Sequence, residues 1–449
     1  MIARFLARLL GKKIIHSKRP KRIHVREHGI TRNHITQCAL KVTDTLQQHG
    51  YQAFIVGGAV RDLLLSRIPK DFDVATNATP EQVHALFRRS HIIGRRFRLV
   101  HVLCGNDTIE VSTFRASAQH EHHAQLSDAS GRLVRDNVFG NHESDANRRD
   151  FTINALYFDP GKEEIWDYCH GMEDIRQKTL RIIGDASTRY REDPVRMLRA
   201  ARFAAKLDFT IDAHARAPIA ELAGLLKNVP SARLFDETLK LLLSGHAVSV
   251  IEQLQSEGLQ HSILPVLSPL LENENSREFI FAALRNTDER IQTGKPASPA
   301  FLFATLLWRP LLTLYQTRLA AEEDEHPAWH AAMQDVLERE RHDMAIPRRL
   351  DGTIKEIWLL QNRFEQRGGD RAWRLLSQAR FRAAYDFLLL RAETGEIEQA
   401  LADWWTHFQH ADDDERKTMV AALAPTANPK RRRRKKTVPQ PSVEPEQHE

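Results

Sequence analysis

The chain has 449 residues, which is too long for a single hydrophobic core, so we expect several domains. Hydrophobic residues make up 42% and charged residues 28% of the sequence, as in globular proteins. No apolar run approaches the roughly 20 residues of a membrane span. The stretch MIARFLARLLGKK has arginines among its apolar residues and no small-residue cleavage site, so we expect no secretory signal.

The positive charge is concentrated at the two ends of the sequence. Residues 1–32 carry a net charge of +9 and residues 428–449 a net charge of +4, which leaves residues 33–427 at −7 within a total of +6. Basic ends on an acidic body are typical of proteins that bind nucleic acid. They are also consistent with ends that only keep the protein in solution.

The three cysteines, Cys38, Cys104 and Cys169, lie far apart and lack the spacing of metal ligands. We therefore expect reduced thiols and a reducing compartment.

The first third of the chain alternates between helical and strand patterns. A helical period runs from about residue 35 to 48 and ends before Gly50. AFIV predicts a buried strand, AVRDLLLSR a helix and KDFDVAT a second strand. TPEQVHALFRRS predicts a helix with Thr79 as its N-cap and Pro80 at its first position.

Further along, RLVHVLC and TIEVSTFRA predict two strands paired around the turn GND, and TINALYFD and EIWDYCHG predict another hairpin. After about Gly184 almost every apolar pattern is helical. We therefore predict an α+β multi-domain protein with a mixed α/β head and an all-helical remainder. The predicted boundaries are a basic arm over 1–32, the head over 33–184, a neck over 185–250, a body over 251–427 and a disordered tail over 428–449.

Asp71 and Asp73 flank Phe72 on the second predicted strand. Because side chains alternate along a strand, the two carboxylates project together while Phe72 points into the core. Neighbouring carboxylates repel each other, and a divalent cation such as Mg²⁺ relieves that repulsion. Two acidic residues at the solvent edge of a strand would give the same pattern.

Gly57 and Gly58 lie between a strand and a helix, ahead of Arg61. Glycines let backbone N–H groups approach a phosphate, and the arginine adds charge-assisted hydrogen bonds. An ordinary tight turn between a strand and a helix is the alternative interpretation. A phosphate site followed by paired carboxylates is the combination that metal-assisted phosphoryl or nucleotidyl transfer requires.

A third carboxylate should complete such a site. Asp150, in NRRDFTINAL, and Glu110, in TIEVSTFR, are the two candidates, and the sequence does not decide between them.

The stretch YREDPVRMLRAARFAAKL places Asp193, Arg196 and Arg199 three residues apart. On a helix these residues share one face, so an acceptor and donors are presented together and can bind the edge of a base. A structural ion pair on the helix surface is the alternative.

Two other features are interpreted as structural. The histidines of HEHH, residues 120–123, lack partner cysteines and are not expected to bind zinc. Trp373, Trp404 and Trp405 occur at helical spacing and are expected to lie in a core.

The motifs VGGAVRDLLL, KDFDVATNATPE, RRDFTINAL and YREDPVRMLRAARFAAKL resemble those of the class II nucleotidyltransferases of the polymerase-β superfamily. That family contains CCA-adding tRNA nucleotidyltransferases and bacterial poly(A) polymerases. The motifs cover about residues 54–209 and are specific as a set. IIGRRFRLVHV and the helical remainder resemble the poly(A) polymerases.

The resemblance implies roles for individual residues. Asp71 and Asp73 would hold two metal ions, Mg²⁺ or alternatively Mn²⁺, and Asp150 would be the third catalytic acid. Arg149 and Asp150 would contact the sugar and phosphates of the nucleotide. Asp193 and Arg196 would read the incoming base.

The resemblance also implies a template-independent enzyme that adds AMP from ATP to RNA 3′ ends and releases pyrophosphate. The alternatives are a CCA-adding enzyme and an RNA-binding protein with an inactive head. The choice of ATP over CTP rests on the resemblance. We expect RNA 3′ ends and ATP as partners, RNA-decay proteins at the basic tail, a bacterial cytoplasmic location and a monomer.

Overall fold

The structure, a computed structural model, describes residues 19–94, 98–105, 107–116, 139–263, 271–321, 324–344 and 346–423. Internal contacts divide the chain into two units, Met1–Gly352 and Thr353–Glu449. The predicted N-terminal basic segment before residue 19, the HEHH stretch and the tail over 428–449 lie outside the described residues.

Eight strands of the first unit form one sheet. The strands are β1 Lys21–His24, β2 Ala53–Val56, β3 Asp73–Thr76, β4 Ser90–Ile93, β5 Leu99–Cys104, β6 Asp107–Thr113, β7 Leu156–Asp159 and β8 Glu164–Asp167. Their order in the sheet is β1-β8-β7-β2-β3-β6-β5-β4. Neighbouring strands are antiparallel except β3 and β6, which are parallel.

Threonine side chains cap the N-termini of two head helices, and the cap predicted at Thr79 is confirmed. Thr36 accepts a hydrogen bond from the N–H of Ala39 at the start of the first long helix. Thr79 and Gln82 form a capping box, with Pro80 at the first helical position. The head helices are Val25–His28, Gln37–Gln48, Gly58–Leu64, Pro80–Leu86, His142–Arg148 and Gly171–Arg176.

The two faces of the sheet carry different side chains. Ile55, Val74 and Val111 are buried on one face. Phe54 and Tyr157, on the opposite face, form a core cluster with Ala146 of the helix His142–Arg148. That helix therefore contributes to the core on the face of the sheet that also carries Asp73 and Glu110.

Two strands of the sheet, β1 and β4, were not predicted from the sequence. Residues 21–24, predicted to belong to the basic arm, form β1 and pair with β8. Ile23 is the one buried residue of this strand, so no apolar alternation signalled it. The helix predicted over TPEQVHALFRRS ends at Leu86, and Ser90–Ile93 continue as β4.

The predicted helical remainder of the first unit is confirmed, apart from a short parallel pair formed by β9 Thr179–Leu180 and β10 Thr210–Ile211. Val195–Leu207, here called the neck helix, has its apolar side buried. The described helices of this region are Ala186–Glu192, Val195–Leu207, Ala213–Arg216, Ile219–Leu222, Ser231–Leu242, Ala247–Ser256, Gln260–Ile263, Glu274–Gln292, Pro299–Leu306, Trp308–Ala320 and Glu325–Met344.

The second unit is built on a core around Trp405, which is fully buried and donates a hydrogen bond from Nε1 to the carbonyl of Phe364 at 2.8 Å. Trp373 and Trp404 are partly buried against the same cluster, which confirms their predicted structural role. Asp351–Gln361 begins at the unit boundary, and the further helices are Arg371–Leu376, Phe381–Glu393, Gln399–His410 and Asp413–Ala422. No described helix has the length and apolar character needed to cross a membrane.

The expectation of three reduced thiols is wrong for two of them. Cys38 and Cys104 are joined by a disulfide with their Cα atoms 5.8 Å apart, whereas Cys169 is free and buried. The sequence did not indicate this pairing, because 66 residues separate the two cysteines and only the folded head brings them together.

Candidate active site

Two carboxylates meet where β3 begins. Asp73, the first residue of β3, pairs with Glu110 in the parallel β3–β6 ladder and with Val56 at the end of β2. Paired residues on neighbouring strands project to the same face of a sheet. Glu110 is therefore the carboxylate next to Asp73, a choice that the sequence left open.

Asp71 lies just before β3 and is exposed. Asp73 is also accessible to solvent, but the surrounding protein removes enough water from its carboxylate to raise its pKa to about 6. The negative charges of Glu110 and Asp71 add to this increase, and Arg149 opposes it. Asp71, Asp73 and Glu110 thus form one cluster of mutually repelling carboxylates.

This cluster fits a hard divalent cation. No three His, Cys, Asp or Glu side chains among the described residues converge closely enough to form a metal site by themselves. Mg²⁺ commonly takes one or two carboxylates and completes its shell with waters and substrate phosphate oxygens. The carboxylates of Asp71 and Asp73 supply that kind of partial ligand set, and a cation would relieve the repulsion that raises the pKa of Asp73.

Gly57 joins β2 to the helix Gly58–Leu64 with a φ of 74°, in the left-handed region that favours glycine. A Cβ atom at this position would lie 3.4 Å from Nη1 of Arg149. The glycine therefore keeps the space beside the Arg149 guanidinium open.

Hydrogen bonds hold Arg149 in a fixed orientation. Its Nε donates to Tyr157 Oη at 2.8 Å and its Nη2 to Asp145 Oδ2 at 3.2 Å. Tyr157 Oη in turn donates to Asp145 Oδ2 at 2.7 Å. The positively charged Arg149 guanidinium is thus fixed in place near both Gly57 and Asp73.

Arg61 is less available for binding phosphate than the sequence suggests. It is buried, and it donates to Asp62 Oδ1 at 2.6 Å and to Asn154 Oδ1 at 2.7 Å. Its Nη2 lies 3.6 Å from the position that a Cβ on Gly58 would occupy. Arg61 therefore lines the turn but is already held by two partners.

Asp150 is not part of the carboxylate cluster. Its Oδ2 accepts hydrogen bonds from Arg199 on the neck helix, at 2.6 Å from Nη2, and its Oδ1 accepts from Asn154 and from the N–H of Phe151. Burial alone would raise the pKa of Asp150, but these partners hold it well below its usual range. The structure therefore makes Asp150 a link between head and neck, whereas Glu110 is the candidate that lies beside Asp73.

Asp193 and Arg196 are near each other but do not share a helix face. Asp193 has an extended backbone between two helices, and the neck helix begins only at Val195, which corrects the predicted geometry. Asp193 Oδ2 accepts from Arg233 Nη2 at 2.7 Å, and its Oδ1 has no hydrogen-bond partner among the described residues. Arg196 Nη1 donates to Glu192 Oε2 at 3.0 Å.

Sequence reasoning missed the residues that orient this site. Arg233 lies 40 residues after Asp193, and no local pattern connects them. Asp145 and Tyr157 flank RRDFTINAL at spacings of four and eight residues from Arg149, but only the fold shows that their side chains converge.

Three family models match the chain. "Poly A polymerase head domain" matches residues 53–181, "Probable RNA and SrmB- binding site of polymerase A" residues 208–271 and "Polymerase A arginine-rich C-terminus" residues 321–438.

Curated relatives agree with these matches. The chain is 46% identical to poly(A) polymerase I of Salmonella typhi over 91% of its length and 90% of that protein, and 44% identical to poly(A) polymerase I of Haemophilus influenzae over 89% and 90%. A CCA-adding enzyme of Bacillus licheniformis is 35% identical but covers only 49% of this chain. Among solved structures, the Bacillus stearothermophilus CCA-adding enzyme in complex with CTP matches 86% of this chain and 82% of that one, with 27% identity and a TM-score of 0.56.

Replacing Asp73 by Asn should stabilise the metal-free protein at pH 8. The pKa of Asp73 is higher in the fold than in the unfolded chain, so the ionised carboxylate destabilises the fold above about pH 6. The gain in melting temperature should shrink as the pH falls from 6 towards 4, where Asp73 becomes protonated in both states. Calorimetry of both proteins in a chelating buffer measures the two melting temperatures. A lower melting temperature for the variant at pH 8 would contradict the repulsion assigned to the carboxylate cluster.

Asp150→Asn should lower the free energy of unfolding at neutral pH by about 3 kcal/mol, because Arg199 loses its charged partner. Glu110→Gln should not lower it, because it removes a repulsion. Urea denaturation distinguishes the two variants. The assignment fails if Glu110→Gln is the destabilised one.

Proposed function

The chain belongs to the poly(A) polymerase family, and we propose that it adds AMP from ATP to RNA 3′ ends without a template, releasing pyrophosphate. The observation that carries this proposal is the cluster of Asp71, Asp73 and Glu110 beside Gly57 and Arg149. It supplies carboxylates for a metal and a fixed cation for phosphates in one place.

We propose that Asp71 and Asp73 hold two Mg²⁺ ions, with Mn²⁺ as an alternative, and that Glu110 completes the acidic cluster. The bound ions would supply Lewis-acid stabilisation of the phosphate charge. In this assignment Asp150 orients Arg199 and does not bind metal, which changes the role that the resemblance implied.

The protein's own groups orient the nucleotide. The backbone around Gly57 and Gly58 leaves room for the triphosphate, and Arg149 contributes positive charge to its oxygens. Because Tyr157 and Asp145 fix Arg149 before ATP arrives, little reorganisation is needed during the reaction. Arg61 lines the turn and is held by Asp62 and Asn154.

The base-reading groups restrict the choice of nucleotide. Asp193 Oδ1 is an acceptor and Arg196 a donor, which complements the amino group and ring nitrogen on the Watson–Crick edges of adenine and cytosine. Guanine and uracil present the opposite pattern. Choosing adenine over cytosine must therefore depend on the other differences between these bases, which are ring size and the O2 acceptor of cytosine. Arg233 fixes the Asp193 carboxylate against which the base must fit.

The proposed partners and location follow from the proposed substrates. We propose RNA 3′ ends as the acceptors, contacts with RNA-decay proteins through the basic tail and a bacterial cytoplasmic location. The match of residues 208–271 to a probable RNA- and SrmB-binding region supports an RNA contact after the neck helix.

Primer extension with each of the four nucleotides tests the reaction. We expect long A tails on a generic RNA, little addition from the other nucleotides and no requirement for tRNA. Incorporation of C before A, on tRNA alone, would instead identify a CCA-adding enzyme. The double variant Asp71→Ala, Asp73→Ala should bind RNA but extend nothing.

Arg233→Ala should reduce discrimination between ATP and CTP about tenfold, because Asp193 loses the partner that fixes its carboxylate. The ratio of kcat/KM values for the two nucleotides measures this. Arg285→Ala is a matched control, since it breaks an exposed ion pair with Glu278 on a helix of the body. An unchanged ratio in Arg233→Ala would contradict the proposed role.

A further inference from the structure

A row of four polar side chains crosses one face of the head sheet, from the carboxylate cluster to the edge strand. Asp73 of β3 pairs with Glu110 of β6, Glu110 with His101 of β5, and His101 with His91 of β4. Paired residues project to the same face. With strands about 4.8 Å apart, His101 lies about 10 Å and His91 about 14 Å from Asp73 along the row.

This row is accessible to a ligand. His91 is exposed, and the side chains of His101 and Glu110 are 30% and 52% exposed. Their neighbours along the same strands, Val100 and Ile109, are buried on the opposite face. The histidines are therefore surface groups beside the carboxylates and not part of the core.

His101 also contacts the carboxylate cluster directly. Its Nε2 lies 3.3 Å from Glu110 Oε1, within hydrogen-bond distance. This contact can hold the Glu110 side chain in one orientation on an otherwise open face.

The two sides of Asp73 differ in chemistry. Gly57 and Arg149, which form the proposed phosphate site, lie towards β2 and β7, because Val56 pairs with Asp73 and Arg149 bonds to Tyr157 of β7. The histidines lie on the other side, over β5 and β4. In nucleotidyl transfer the attacking and leaving oxygens are roughly in line on opposite sides of the phosphorus. If ATP occupies the Gly57 side, the primer must approach over β6, β5 and β4.

We propose that His91, His101 and Glu110 form the seat of the terminal nucleotide of the RNA primer, an inference that rests on the proposed function. His91 contacts the terminal nucleotide through its ring, and aromatic stacking of this kind accepts any base. That tolerance suits an enzyme whose acceptor changes from an arbitrary 3′ end to the adenylate it has just added. His101 contacts the same nucleotide and is a positioning residue for Glu110.

Steady-state kinetics of His91→Ala, His101→Ala and His101→Gln test the proposal. His91→Ala should raise the KM for an RNA primer about tenfold and leave the KM for ATP unchanged. His101→Ala should raise the primer KM and lower kcat. His101→Gln retains a donor for Glu110 but no ring, so it should recover kcat while the primer KM stays high.

His49→Ala is the control, because His49 is an exposed histidine at the end of the helix Gln37–Gln48 and outside the row. Its kcat and its KM values for the primer and for ATP should match those of the unmodified protein. A primer carrying 4-thiouridine at its 3′ end should crosslink to β4 or β5, and the yield should fall in His91→Ala.

An unchanged primer KM in the double variant His91→Ala, His101→Ala would overturn the proposal, as would crosslinks confined to the neck helix. Recovery of both kcat and the primer KM in His101→Gln would show that His101 only holds Glu110, and would overturn its proposed contact with RNA. These results differ from a failure of the proposed function, in which the unmodified protein would not add AMP from ATP.

Discussion

Parallel pairing of β3 with β6 places the carboxylates of Asp73 and Glu110 on neighbouring strands, where their like charges repel each other. The β2–β3 ladder adds Gly57, because β2 ends at Val56 opposite Asp73. A single register therefore brings the acidic cluster and the Gly57 turn to the same end of neighbouring strands. Under the proposed function, the repulsion within the cluster is the expected cost of a site that receives cations and phosphates.

A second set of contacts connects the reaction centre to the choice of nucleotide. Asp150 directly follows Arg149, which lies beside the carboxylate cluster. The Asp150 carboxylate binds Arg199 on the neck helix. Asp193 lies just before the same neck helix, and Arg196 lies in its first turn. Under the proposed function, the sheet carries the reaction and the residues at the start of the neck select the base. The Asp150–Arg199 ion pair connects these two regions.

Much of this arrangement could be predicted because local signals and tertiary structure agree. The alternation around Phe72, the glycine pair and the capping box at Thr79 each specify local geometry that the fold retains. Pairings between distant segments could not be predicted. The choice of Glu110 over Asp150 depends on strand order, and the Asp193–Arg233 pair depends on how two helices pack. The Cys38–Cys104 disulfide is a third case of this kind.

We propose that Asp71, Asp73 and Glu110, and not Asp150, form the acidic cluster that receives the metal ions. Titration with Mn²⁺, followed by electron paramagnetic resonance in the presence of a non-reactive ATP analogue, distinguishes the two carboxylates. Glu110→Gln should weaken Mn²⁺ binding about tenfold or more, whereas Asp150→Asn, measured under conditions where it is folded, should bind Mn²⁺ like the unmodified protein. Loss of Mn²⁺ binding in Asp150→Asn together with unchanged binding in Glu110→Gln would contradict it.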